Sequence, residues 1–399
     1  MFISEGLKNI SKLLSIIDTR YYINKMRVLQ ISCGYVFSKV YYNLFHAIDL
    51  AGAEQIVYGP IRKDEEAEFG DRFKSDKYET VCPSILRKWY RIAYHYKQRV
   101  MFHDMLNRID ITQCDIVHAH TLLTDGGLAY KLKKKYNIPY VVAVRNTDVN
   151  GFLEKMPHTW RDARIILTNA ERVFFISQAL RNKFEQNRAV KPIIPYIKDK
   201  MEVVPNGIDD IFLDNINIER PDNHNIIYVG QFTHNKNVVR LIEAIKSARE
   251  EKDLADVTLT IIGGGGEDFD DRVEGLIESN KDFITYLGKI YDTQLLLQHY
   301  REHTMFAMPS IHETFGLVYI EALSQGLPVL YTKGQGVDGT LEKSAGIGVN
   351  PNSVEDIKNA IITIMRNQDF SNKTVPFENY RWNNIGRNYV KDYSSIVKE

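Results

Sequence analysis

The 399-residue sequence has only three cysteines, Cys33, Cys82 and Cys114, far apart and without metal-ligand spacing. That scarcity excludes a disulfide framework and a cysteine-based metal site, and reads as reduced thiols in a cytosolic protein. No apolar run approaches the roughly 20 residues that a bilayer-spanning helix needs, and no signal-peptide pattern is apparent. Net charge is absent too, since 51 Lys and Arg balance 51 Asp and Glu. Nothing draws the whole molecule to nucleic acid, so affinity for anions or membranes must come from local patches. The remaining composition is that of a globular protein, 44% hydrophobic and 26% charged, in a chain long enough for two domains.

Strand-like and helix-like stretches alternate through both halves. Residues 27–32, 54–58, 115–120, 138–144, 173–176 and 201–205 read as strands of the first half. Residues 226–229, 257–262, 283–288 and 305–308 read as strands of the second. The alternation predicts an α/β protein with two doubly wound parallel sheets facing a cleft. The expected divisions are an amphipathic extension over 1–25, a first domain over 26–210, a second over 211–378 and a final helix within 379–399. Residues 215–225 read as a polar linker with little that could pack.

The most informative stretch is 309–330, PSIHETFGLVYIEALSQGLPVL. Pro309, Ser310 and His312 form the turn after a buried strand, and Phe315, Gly316 and Leu317 open a helix. Gly326 and Pro328 end it. A helix N-terminus presents unpaired N–H groups and a partial positive charge, which suits a phosphate. Gly316 has no side chain to obstruct an anion. Glu321 lies two turns beyond Glu313, roughly 12 Å along a helix axis, where a carboxylate can accept two hydrogen bonds from a ribose diol.

Glu313 and Glu321, with seven residues between them, lie inside PS-x-x-E-x-FGL-x-x-x-EA-x-x-x-G-x-PV. This string resembles the retaining GT-B glycosyltransferases of family four (glycosyl transferases group 1), whose signature is E-x7-E. The likeness is strongest over 201–365, weaker over 26–200 and absent from 1–25. It implies two Rossmann-like domains, the acceptor side first and the donor side second. It also implies metal-independent, retaining transfer from a nucleotide diphosphate sugar, most commonly of UDP, without a cofactor. The acceptor would be a glycan or lipid-linked molecule, as in bacterial surface polysaccharide synthesis.

Carried onto this sequence, the resemblance makes His120, Lys236 and Glu313 the catalytic residues. Lys236 and the amides near Phe315, Gly316 and Leu317 would stabilise the departing diphosphate, and Glu321 would hold the ribose. Glu313 and His120 would contact the transferred sugar. Gly34, Gly230, Gln231 and Gly264 would line the donor, and Lys289 and Ile290 would lie against the base. Family members carry an arginine where Gln231 stands, so one positive charge is missing, for which Arg145 or Lys333 could substitute. Arg145, Asn146 and Asp148 end a strand of the first domain and are assigned to acceptor or sugar contacts. Asp268 and Asp270 form a D-x-D, read here as acids in the first turn of a helix and not as metal ligands.

One stretch stands apart. Residues 87–99, RKWYRIAYHYKQR, hold five Lys and Arg and no acid among Trp89, Tyr90, Tyr94 and Tyr96. Such a segment is either a solvated helix with an aromatic face in the core, or a patch that meets anionic lipid or an anionic acceptor. The second reading puts a cytoplasmic protein at the inner membrane surface. Two other functions fit the fold: a non-catalytic donor-binding subunit, favoured by Gln231, and a sugar-nucleotide epimerase, disfavoured by the paired glutamates.

Overall fold

A computed structural model describes residues 25–66, 75–91, 93–266 and 268–398. The amphipathic extension, up to residue 24, lies outside the described residues.

Seven short, mostly apolar runs form the first sheet: β1 (Arg27–Ile31), β2 (Glu54–Tyr58), β3 (Glu79–Val81), β4 (Ile116–Ala119), β5 (Tyr140–Val144), β6 (Arg172–Phe175) and β7 (Met201–Val203). Their order is β3-β2-β1-β4-β5-β6-β7 and every pairing is parallel. The second sheet contains β8 (Asn225–Gly230), β9 (Thr258–Gly263), β10 (Ile284–Tyr286), β11 (Met305–Ala307), β12 (Val329–Thr332) and β13 (Gly346–Val349). Its order is β10-β9-β8-β11-β12-β13, again all parallel. Both are doubly wound, with the strand order reversing beside the first strand of each half, and crevices for ligands open at such reversals. The central strands read as near-continuous Val, Ile and Leu because helices cover both faces. Val28, Leu29, Ile226 and Ile227 have no exposed surface.

The longer helices are α1 (Lys39–Leu50), α2 (Tyr94–Arg108), α3 (Thr124–Tyr136), α4 (Trp160–Asn169), α5 (Gln178–Gln186), α6 (Val238–Ala248), α7 (Arg272–Ser279), α8 (Thr293–Arg301), α9 (Leu317–Ser324), α10 (Val354–Arg366) and α11 (Trp382–Val397). Side-chain caps begin several of them: Ser38 before α1, Ser177 before α5 and Ser353 before α10.

The chain crosses between the two sheets twice, and the crossings lie side by side. Ile208 bridges to Arg381, the Ile208 amide donates to the Tyr380 carbonyl at 3.0 Å, and Gly207 lies against the Trp382 ring. After the second crossing, α11 packs on α1 of the first domain. A Cβ at Gly386 would sit 2.3 Å from the Ala47 carbonyl oxygen, so only glycine allows this approach. Gly386→Ala is expected to destabilise the protein by about 1–3 kcal/mol, read as a lower urea midpoint. An unchanged midpoint would show that α11 contributes nothing to the first domain's stability.

Three local expectations change. Residues 87–99 are not one helix: Lys88–Arg91 is a 3-10 turn and α2 starts at Tyr94. The linker after residue 215 is pinned by polar contacts. Asn217 N–H donates to the Ser324 carbonyl, and the Arg220 guanidinium donates to the carbonyls of Thr304, Ile364 and Asn367. Asp268 and Asp270 precede α7 and are not in its first turn. Asp270 is buried against Arg272 at 2.7 Å and His234 at 3.1 Å.

Candidate functional site

The loops after β8 and β11 flank the reversal of the second sheet and are tied together. Asn235 accepts from the His312 amide and donates to the His312 carbonyl, each at 2.9 Å. The Ile311 amide donates to the Asn235 carbonyl at 2.7 Å. This lattice brings Lys236 Nζ to 2.7 Å from the Glu313 carboxylate, with both side chains more than three-quarters buried. Lys236 closes a 3-10 turn capped by the Thr233 hydroxyl, so its aim is set by backbone and not by side-chain chance.

The turn from β11 into α9 faces the first domain. Asn146 Nδ2 donates across the gap to Thr314 Oγ1 at 3.1 Å and to the Glu313 carbonyl at 3.4 Å. Gly336, in the loop after β12, closes over Glu313 through a 3.2 Å hydrogen bond. Phe315 is buried against Tyr380, and α9 begins at Leu317. Glu321 is therefore one turn into the helix, about 6 Å along it, and not two turns beyond a helical Glu313. Gly316 also has a different reason: its φ is +83° and a Cβ would fall 2.3 Å from the Tyr319 ring. The position needs glycine for the chain's own geometry.

Glu321 is half-buried and accepts from the Tyr300 hydroxyl at 3.3 Å. Burial pushes its carboxyl up to about 7, against the Tyr300 hydrogen bond that lowers it. Tyr300 carried no signal in the sequence, because its aromatic ring reads as core.

Of the remaining donor-side positions, Gln231 and Lys289 border the glycine loop that holds Gly264. Gly264 lies in a loop of four glycines after β9, all with positive φ. Gln231 is exposed and borders Gly266, while the ammonium of Lys289 lies 3.3 Å from where a Cβ on Gly265 would be. Gly230 lies over the Tyr228 hydroxyl, which donates to the Gln231 carbonyl at 2.7 Å. Ile290 packs on the core. Lys333 is exposed.

On the first domain, two expectations meet a different geometry. The His120 ring has no exposed surface. It stacks on His118 with centroids 4.0 Å apart, is covered by Tyr41 and Phe45, and binds the Gln30 side chain at 2.8 Å. Burial holds both histidines well below their usual range, hence neutral. In this conformation His120 offers a sugar no side-chain surface; its carbonyl accepts from Arg145 Nε at 3.1 Å. Asp148 is also sealed. One of its oxygens accepts from the amides of Leu122 and Arg145 at 3.0 and 2.9 Å, and burial raises its carboxyl to about 6. It clamps two loops and is not exposed to an acceptor. The apolar run over 115–120 puts His120 at the end of a strand, but nothing local to it shows that α1 lays Tyr41 across the ring. Gly34 serves the same packing, since a Cβ there would be 2.8 Å from the Tyr41 ring. Arg145 lies over that ring at 5.5 Å.

Among the described residues, no group of three His, Cys, Asp or Glu side chains could hold a metal ion, and no helix is long and apolar enough to cross a membrane.

Comparison with known proteins divides the chain in the same place as its sheets. Residues 38–211 match the profile of glycosyltransferase family 4, and residues 210–378 match that of glycosyl transferases group 1. Alpha-monoglucosyldiacylglycerol synthase of Acholeplasma laidlawii is 24% identical over 86% of this chain and 87% of its own. The lipopolysaccharide outer core galactosyltransferase WaaB superimposes with a TM-score of 0.68 over 93% of this chain and all of its own, at 16% identity. Anabaena Alr3699/HepE, solved with UDP and glucose, superimposes with a TM-score of 0.64 over the same shares, also at 16% identity. At such identities the structural likeness shows the GT-B fold.

Proposed function

Because the two halves of this chain belong to glycosyltransferase family 4 and glycosyl transferases group 1, we propose that it transfers a sugar from a UDP-sugar to a glycan or lipid-linked acceptor, retaining the anomeric configuration without a metal. The observation that carries this reading is the Lys236–Glu313 pair at the strand reversal, beside the turn into α9. A departing diphosphate gains charge as the sugar leaves, and a cation already fixed beside it stabilises that charge without reorganisation. Lys236 exchanges part of its contact with Glu313 for the diphosphate, and Glu313 then orients the sugar hydroxyls. Glu321 accepts from the ribose diol. The acceptor hydroxyl attacks the anomeric carbon on the face the diphosphate leaves. The new C–O bond forms as the old one breaks, and the acceptor proton passes to a diphosphate oxygen.

Gln231 leaves the rim one cation short. Arg145 is committed to the His120 carbonyl and the Tyr41 ring. Lys289, held against the glycine loop, is the better-placed substitute and meets the diphosphate from the β10 side. UDP as the base agrees with the HepE complex. A surface-polysaccharide or glycolipid pathway agrees with the WaaB and glucosyldiacylglycerol synthase likenesses.

Gln231 also favours a second reading, a subunit that binds donor without turnover. A panel of UDP-, GDP- and ADP-sugars separates the two. UDP-sugars should raise the melting temperature, as ligands of a native state do, and should be slowly consumed. Stabilisation without consumption would identify the non-catalytic subunit. No stabilisation by any sugar nucleotide would remove both readings.

A further inference from the structure

A groove of about 570 Å³ crosses the first domain between the turn Lys88–Arg91, the start of α2 and the π-helical turn Asp148–Leu153. Tyr90, Tyr94, Phe152 and Met156 make its walls apolar, and Lys97 and Lys155 flank them. Its size falls among pockets that hold small ligands. The two ends differ. At one, Lys97 Nζ lies 3.5 Å from the hydroxyl of Thr124, the first residue of α3. The next residue, Asp125, accepts from the Cys33 amide at 3.3 Å in the loop after β1. This end therefore adjoins the edge of the sheet that faces the cleft. At the other, the Tyr90 ring joins Trp89 and Tyr96 in one aromatic cluster with centroids 4.5–5.6 Å apart. Trp89 and Tyr96 are each 48% exposed, which is how amphipathic rings sit at a lipid–water boundary.

The charge is one-sided. Two nearby carboxylates are paired elsewhere, Asp64 with Lys88 at 3.1 Å and Glu154 with Lys183 at 3.5 Å, and Asp125 is buried behind Thr124. Among the described residues no ion pair is recorded for Lys97 or Lys155. An apolar slot flanked by ammonium groups that form no ion pair among the described residues selects an amphipathic anion over a neutral chain or a free sugar.

We propose that this groove seats the acceptor, and that the acceptor is an alkyl or prenyl phosphate. Its phosphate lies by Lys97 at the cleft end, where an ionised phosphate oxygen takes the place of the acceptor hydroxyl, bonding to the anomeric carbon as the bond to the nucleoside diphosphate breaks and with no proton to pass on. Its chain runs past Phe152 and Tyr90 toward Trp89 and Tyr96 at the surface. This orientation rests on the transferase reading above, because it delivers the head group to the donor.

The test is calorimetric titration of the full chain with dodecyl phosphate below its micellar concentration, beside dodecanol, inorganic phosphate and UDP. Wild type should bind dodecyl phosphate at least tenfold more tightly than dodecanol or inorganic phosphate. Lys97→Glu with Lys155→Glu should weaken it at least tenfold and leave UDP binding unchanged. Gly151→Phe gives an independent check. Gly151 lines the groove and a Cβ there meets no atom within 4 Å, so the ring can fill the slot without a backbone clash and should also abolish dodecyl phosphate binding. Equal binding by the variants, or by inorganic phosphate alone, overturns the proposal. UDP binding without dodecyl phosphate binding overturns the groove and spares the transferase. Dodecyl phosphate binding without binding of UDP or of any sugar nucleotide in the panel above keeps the groove and removes the transferase reading.

Discussion

Lys236→Ala should lower sugar transfer by roughly 10²–10³-fold, the loss typical when one preorganised group facing a developing charge is removed. The loss should appear in kcat more than in KM, because the charge on the diphosphate grows as the glycosidic bond breaks. Removing the ammonium also strands Glu313, whose side chain is 11% exposed beside it. The variant must therefore be shown to unfold at a wild-type midpoint, or be paired with Glu313→Gln to relieve the orphaned charge. Lys289→Ala should cost about tenfold, in keeping with a second, more exposed cation screened by solvent. Lys236→Ala with kcat within twofold of wild type would end the case for its role. Equal losses in both lysine variants would place Lys289 on a par with it.

Donor affinity should fall about tenfold between pH 8 and pH 6, and Glu321 is the reason. Desolvation at its half-buried position raises its carboxyl to about 7. A ribose diol needs two acceptor oxygens, which only the ionised form supplies. Below pH 7 binding must first remove a proton, and affinity falls up to tenfold per unit. A nucleotide diphosphate sugar is the right probe, since its diester diphosphate does not titrate in this range. For stability the sign reverses. A carboxyl whose folded value is raised favours the fold below its unfolded value of 4.5, and that contribution is lost as pH rises toward 7. Asp125 and Asp148, raised by burial to about 6, act in the same direction. The ligand-free protein should thus lose this part of its stability between about pH 4 and 7, while donor affinity increases. Glu321→Gln should bind roughly 10- to 100-fold more weakly at pH 8, the loss of a charge-assisted hydrogen bond worth about 1.5–3 kcal/mol, and its affinity should not vary with pH. A Glu321→Gln protein that keeps the pH dependence would place the titrating group elsewhere.

Periodicity was enough for the central strands, because buried parallel strands read as unbroken apolar runs; the edge strands β3 and β13, Glu79–Val81 and Gly346–Val349, are too short and too poor in apolar residues to show one. The strand expected over 54–58 coincides with β2. What pattern could not convey is where side chains end up once elements from distant sequence meet. The 2.7 Å contact of Lys236 with Glu313 spans 77 residues. The sealing of His120 depends on Tyr41, from a helix about 80 residues earlier, and Tyr393 from α11 holds His118 from behind at 2.6 Å. One wall of the groove, Tyr90, Tyr94 and Lys97, stands out in the sequence, but the facing wall does not, for another reason. Its Gly151 and Phe152 lie in a π-helical turn, whose register follows neither the strand nor the α-helix period.

The paired crossings at Ile208 and Arg381 constrain how the two lobes can move. A single tether would let them swivel freely. Two adjacent tethers, bonded to one another at Ile208 and Tyr380, act as the spine of a book and leave one easy motion, opening about the line between them. A cut at Ile208 would leave the first lobe held to the second only by the packing of α11 on α1, whereas a cut at Arg381 would keep the lobes covalently joined and free α11.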